Sequence, residues 1–177
     1  MVYNGELYNF PELRQELEAK GVKFRSHSDT ETLLELFARE GPACLSRLNG
    51  IFAFAIWDNF EKRLFLARDP VGVKPLYYYF DGRRFIFSSE AKAVFCHDVS
   101  RTLNSEALNL YFRFLYVPAP FTMWEGIKKF PAGHWAVLDK GKFEIKPFWE
   151  FKEGFYLESE EEIKKAIQHW RADNYRV

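Results

Sequence analysis

Ile51-Phe52-Ala53-Phe54-Ala55-Ile56-Trp57 is apolar at every position, so neither face of a strand made from it can be turned to water. The stretch predicts a strand covered on both sides. Asp58-Asn59-Phe60-Glu61-Lys62 turns the chain and Arg63 to Arg68 returns it, which makes a hairpin. Asp69-Pro70-Val71-Gly72-Val73-Lys74-Pro75 is a loop rich in proline and glycine. After it, Leu76 to Phe80 and Arg83 to Ser88 form a second hairpin about Asp81-Gly82. The four strands together predict an antiparallel sheet.

Upstream, Val2 and Tyr3 read as the tail of a strand that ends in an Asn4-Gly5 turn, since both residues tolerate positive φ and glycine lets another group approach the backbone. An Asn amide beside a bare Gly N–H is also a donor pair for an oxyanion, although such a dipeptide is far more often a plain turn. Asn9-Phe10-Pro11-Glu12 has the form of a capped helix start, and Phe10, Leu13 and Leu17 recur at helical spacing until Gly21, giving a helix over about 10–20. Val22 to Arg25 alternates as a short strand. Ser28 with Glu31 is a second capping box, for a helix over about 29–40 that Gly41 ends. Asp29 in its first turn is favourable against the helix dipole whatever else it does, and it can alternatively hold a ligand's ammonium group.

Cys44 to Leu48 predicts a turn of helix with Leu45 and Leu48 inward. Cys44 and Cys96 both read as small buried side chains rather than nucleophiles. Ser88 and Ser89 can cap a short helix through about Phe95, and Asn104 or Ser105 starts another with Ala107, Leu108, Tyr111, Phe112 and Leu115 on its apolar face. Phe130-Pro131-Ala132-Gly133-His134 is a turn, and Trp135 to Leu138 with Phe143 to Ile145 is a last hairpin. His134 reads as a packing or hydrogen-bonding residue. Glu158 to Glu162 starts a charged helix carrying an Ile163, Ala166, Ile167, Trp170 stripe, and the acidic run marks a domain boundary.

The 177 residues suit one domain with a substantial core. The 25 basic and 25 acidic residues cancel, which argues against nucleic acid as a partner. Two cysteines and four scattered histidines fit neither a disulfide framework nor a metal cluster, and no apolar run approaches the roughly 20 residues of a membrane helix. A cytoplasmic protein follows. Nineteen Phe, nine Tyr and five Trp suit the wide space between packed sheets.

VYNGELYNF, the SDTE of Ser28 to Glu31, LNGIFAFAIWD, RDPVGVKPLYYYF, FSSEAKAV and FPAGHW, in this order, resemble the glutaminase half of glutamine-hydrolysing asparagine synthetases, from the first residues to about Ile167. Related amidotransferases that make phosphoribosylamine and glucosamine phosphate share the Asn-Gly segment and the acidic anchor. The Lys74-Pro75-Leu76-Tyr77-Tyr78 continuation and the Phe52-Ala53-Phe54 strand are closer to asparagine synthetase. The resemblance implies an α+β, N-terminal-nucleophile fold: a four-layer α/β/β/α sandwich of two antiparallel sheets, incomplete at its N-terminus. It implies glutamine as substrate, with a cysteine thiolate attacking the carboxamide and its α-amine acting as base. Asn4, through its side-chain amide, and Gly5, through its N–H, match the oxyanion hole, while Glu6 and Asp29 match the positions that hold the substrate's α-amino group.

The matching cysteine and a loop arginine are not among these residues, and Met1 is no substitute for a thiol. The expectation is therefore a partial glutaminase domain over 1–157, followed over 158–177 by a helical linker or the start of a synthetase domain. ATP and Mg are assigned to that absent domain, which would pack on this one, with no cofactor in this chain and a homodimer admitted. On this expectation the chain alone does not hydrolyse glutamine. The alternative is a catalytically inactive amidotransferase-like domain with a binding or assembly role.

Overall fold

The computed structural model describes residues 1–150, 159–161, 163–165 and 168. In chain order its elements are β1 (Val2–Leu7), α1 (Phe10–Ala19), α2 (Asp29–Glu40), a 3-10 helix (Gly41–Arg47), β2 (Gly50–Asp58), β3 (Arg63–Arg68), β4 (Tyr77–Phe80) and β5 (Phe85–Ser88). A second 3-10 helix (Ala91–Cys96), α3 (Ser105–Phe114), β6 (Ile127–Lys129), β7 (His134–Asp139) and β8 (Lys142–Pro147) follow. One sheet runs β1-β2-β3-β7-β8 and the other β5-β4-β6, with every pairing antiparallel.

β2 is covered on both sides, as its composition requires. Phe52, Phe54 and Ile56 pack with Leu13, Leu17, Leu33 and Leu36 of α1 and α2. On the opposite face Ala53 and Ala55, with Leu66 and Ala136 of β3 and β7, meet Tyr78, Phe130 and the flanking Phe80, Phe85, Phe87 and Phe143. Small residues on the first sheet thus make room for rings carried largely by the second, and burying such rings is a large favourable term. Behind the second sheet, Val94, Val99 and Ile127 pack with Phe95 and Trp124 under the 3-10 helix at 91–96. The result is the expected helix/sheet/sheet/helix order of layers.

The two central hairpins do not share a sheet, contrary to the four-strand expectation. The loop between them is pinned by its own backbone. Arg68 donates to the carbonyls of Lys74 (2.6 Å), Phe130 (2.6 Å) and Gly72 (2.7 Å). Buried Asp69 accepts from the N–H groups of Phe52 (3.3 Å), Val73 (2.9 Å) and Lys74 (3.0 Å). The chain is folded away from β3 before β4 begins, so β7 takes the free edge of β3 and β4 pairs instead with β5 and β6.

Several local expectations are also corrected. Residues 22–25 form no strand and pair with none among the described residues. Glu31 instead takes the N–H groups of Arg25 (2.8 Å) and Ser26 (2.7 Å), while Ser28 caps α2 by accepting from Glu31 N–H at 3.2 Å. Asn9 caps nothing through its side chain; it ties α1 to the 47–49 segment, donating to the Arg47 carbonyl at 2.9 Å and accepting from Asn49 N–H at 3.0 Å. Cys44 is buried as read, but Cys96 is exposed. Of the α3 apolar face only Ala107 is buried, with Phe112 and Leu115 left 72% and 80% exposed. Ala166, Ile167, Trp170 and the proposed boundary at 157/158 lie outside the described residues. No helix among the described residues is long and apolar enough to cross a membrane.

Candidate functional site

Asn4-Gly5 is not a turn. Both residues lie inside β1, paired with Ala53 and Phe52 of β2. Strand alternation puts Val2, Asn4 and Glu6 on the face that β2 turns to the second sheet through Ala53 and Ala55, and Tyr3 and Leu7 on the helix-packed face. Gly5 earns its place through close approach rather than positive φ. A Cβ there would meet the Ile51 carbonyl and lie 2.8 Å from the Phe52 Cα, and one at Gly50 would lie 2.9 Å from the Leu7 Cα. Both glycines occupy the close, non-hydrogen-bonded pairs of an antiparallel ladder.

That alternation decides where the Gly5 N–H points. Tyr8 N–H donates to the Asn49 carbonyl of the neighbouring segment (2.8 Å), whereas Leu7 N–H turns the other way and donates to Asp29 Oδ2 (3.1 Å). On the partner strand, Phe52 N–H and carbonyl both engage Asp69 rather than β1. Gly5, two residues from Leu7 and opposite Phe52, therefore directs its N–H to the outer edge of β1, which no strand among the described residues covers. The Asn4 amide is exposed and has no hydrogen-bond partner among the described residues.

Asp29 sits at the first residue of α2 and reaches β1 from the helix side. Its Oδ2 accepts from Tyr3 hydroxyl (2.9 Å) as well as from Leu7 N–H, while Oδ1 takes the Thr30 hydroxyl at 3.3 Å. Glu6 is exposed and forms no ion pair among the described residues. Burial, the Asp29 hydrogen bond and the charges of Asp29 and Glu6 all raise the Tyr3 phenol pKa, so both carboxylates are felt at one hydroxyl.

A cavity of about 430 Å³ opens between the sheets at this edge, bounded by Val2 and Asn4 of β1, Ala53 and Ala55 of β2, and Phe87 and Ser88 of β5. Of the four residues singled out in the sequence, only Asn4 lines it; Gly5 and Glu6 follow along β1, and Asp29 lies at the start of α2. Asn4, Gly5 and Glu6 are consecutive on β1, and Asp29 meets the same strand through Leu7 N–H and the Tyr3 hydroxyl. Sequence reasoning missed Tyr3, which looked like ordinary strand, and Ser88, which was read as a helix cap.

Neither cysteine lies at this cavity. Cys44 is packed under α2, where burial, reinforced by the Glu40 charge, pushes its thiol up to about 12. His134 faces another cleft, with Nδ1 2.7 Å from the Ala132 carbonyl. No group of three His, Cys, Asp or Glu among the described residues could hold a metal ion.

Residues 1–149 match the family described as the glutamine amidotransferase domain. The chain is 39% identical over 98% of its length to "Asparagine synthetase [glutamine-hydrolyzing] 1" of Bacillus subtilis. It spans only 26–30% of the length of that and the next curated relatives it matches. In three dimensions it is similar to the allosteric regulatory enzyme of purine biosynthesis, at 24% identity and a TM-score of 0.60 over 84% of this chain and 28% of the other. It is likewise similar to the glutamine phosphoribosylpyrophosphate amidotransferase of B. subtilis, at 25% identity and a TM-score of 0.57 over 85% of this chain and 29% of that one. The two-sheet sandwich is thus the N-terminal-nucleophile amidotransferase fold, and the chain belongs to the glutamine amidotransferase domain family.

Proposed function

We propose that this chain carries the glutamine-recognition and oxyanion-stabilising part of the glutaminase site of a glutamine-hydrolysing asparagine synthetase. The observation that carries the reading is the exposed edge of β1, where the Asn4 amide and the outward Gly5 N–H stand together with Glu6 and Asp29 beyond them. Two donors suit the oxygen of a tetrahedral intermediate, and removing one such donor typically costs about 3 kcal/mol of barrier. Two carboxylates suit an α-ammonium group.

In this reading the attacking thiolate comes from a residue other than the two cysteines present. Asparagine formation with ATP and Mg would also belong to residues outside these 177. The sequence has no Ser-Gly-Gly-Leu-Asp-Ser loop and the described residues no acidic metal cluster, so the residues present do not fit that chemistry. The exposed Phe112, Leu115 and Tyr116 at the end of α3 support a neighbouring domain packed there, and the free cysteines suit a reducing compartment such as the cytoplasm.

Calorimetric titration with L-glutamine tests the reading. The unaltered chain is expected to bind and to release no ammonia, whereas Asp29→Asn and Glu6→Gln each weaken binding by about tenfold or more, the loss of one charge-assisted contact. Binding unaffected by either substitution would contradict the anchor assignment, and ammonia release abolished by alkylating Cys96 would contradict the account of the nucleophile.

A further inference from the structure

Tyr3 links the two halves of this site. Its ring lies along β1 over Gly5, with Cε2 3.0 Å from where a Gly5 Cβ would sit, and its hydroxyl continues to Asp29 Oδ2 at 2.9 Å. A Cβ at position 5 would crowd the ring in that course, as well as the Ile51 and Phe52 backbone. Leu7 N–H fills the second position on the same oxygen at 3.1 Å. Both donors, a side-chain hydroxyl and a backbone N–H of the same strand, thus converge on one oxygen. Oδ1, by contrast, receives among the described residues only the longer 3.3 Å bond from Thr30, so its remaining acceptor capacity is available to a ligand.

We infer that Tyr3 is a positioning residue that sets specificity for ligands bearing an α-ammonium group, by locking Asp29 so that Oδ1 is presented to that group. The inference rests on the assignment of Asp29 as the ammonium anchor. A phenol suits the task because it donates without carrying charge. Its raised pKa, caused first by burial and then by Asp29, keeps the proton in place well above neutral pH. A carboxylate left to rotate would offer the ammonium either oxygen at variable geometry, and part of the binding free energy would go into ordering it.

The test compares L-glutamine with its des-amino analogue, 4-carbamoylbutanoate, by calorimetry on the full chain. The ratio of their affinities isolates the ammonium contact and is insensitive to a general loss of stability. Tyr3→Phe keeps the ring over Gly5 and is expected to reduce that ratio about five- to tenfold by weakening L-glutamine alone. Asp29→Asn is expected to reduce the preference about tenfold or more, leaving what Glu6 contributes, and Tyr3→Phe added to Asp29→Asn to change nothing further. An unaltered ratio in Tyr3→Phe beside a collapsed one in Asp29→Asn overturns the role of Tyr3 and leaves the anchor standing. A ratio unchanged by Asp29→Asn, or an unaltered chain that binds no L-glutamine, overturns the anchor and the inference together. A readout that needs no substitution is the ring 13C resonances of Tyr3. L-glutamine should shift them and 4-carbamoylbutanoate should not, and equal responses to the two ligands overturn the inference.

Discussion

A methyl group added at position 5 would press on the Ile51 carbonyl and lie 2.8 Å from the Phe52 Cα, and both are backbone atoms of a paired strand. Neither can rotate aside, so β1 must part from β2 or twist. Gly5→Ala is expected to lower the unfolding free energy by about 1–3 kcal/mol, the usual cost of forcing volume into packed structure, as a shift of the urea midpoint. An unmoved midpoint would mean that the strands are not held so closely. The same residue shows why a sequence can single out a candidate residue and mistake its geometry. Glycine serves equally for positive φ and for close approach, and Asn-Gly reads as a turn whichever use is meant. Cys44 gives a pH test at this scale. Its thiol is pushed from 9.0 to about 12 in the folded chain, so the unfolded chain releases this proton first. The stabilising contribution is full below about 9 and is lost as the pH rises toward about 12. Stability measured against pH in that window should fall more steeply in the unaltered chain than in Cys44→Ala; identical slopes would contradict the burial of the thiol.

Among the elements, β2 was legible because apolar residues on both faces admit no other environment, and α2 because Ser28 caps it and Leu33 and Leu36 share one buried face. The distribution of strands between sheets was not legible, because periodicity shows that a strand exists without showing its partner. The deciding groups are Arg68, which ends β3, and Asp69 at the start of the loop, whose targets are backbone atoms that no pattern advertises. β6 was missed because three residues carry too little alternation. Residues 22–25 do alternate, yet alternation without an adjacent edge yields only a loop held by Glu31. Asp69→Ala would leave the Phe52, Val73 and Lys74 N–H groups without their acceptor. It should destabilise the chain by on the order of 3 kcal/mol, since each unsatisfied buried donor costs about 1–3 kcal/mol and partial hydration offsets some of it. Thermal unfolding of the variant checks this, and a change below about 1 kcal/mol would place the loop's stability elsewhere.

At the scale of the whole molecule, the layers follow from a division of residue sizes. Alanines on the central strands of one sheet face rings of the other, which keeps the sheets registered and opens the cavity only where β1 and β5 end the pairing. The order of motifs made the layered fold legible, whereas the proposed grouping of Asn4, Gly5, Glu6 and Asp29 came only from the resemblance; the contact of Asp29 with β1 spans 22 positions of sequence, which no local pattern shows. The central claim is that this strand edge recognises glutamine. Its most direct test is a 15N-resolved amide spectrum of the chain titrated with L-glutamine. The account predicts saturable shifts concentrated at the Gly5 amide, the Asn4 side-chain amide and the Leu7 amide that Asp29 holds. Shifts confined to other surfaces, or none at these three groups at saturating ligand, would contradict it.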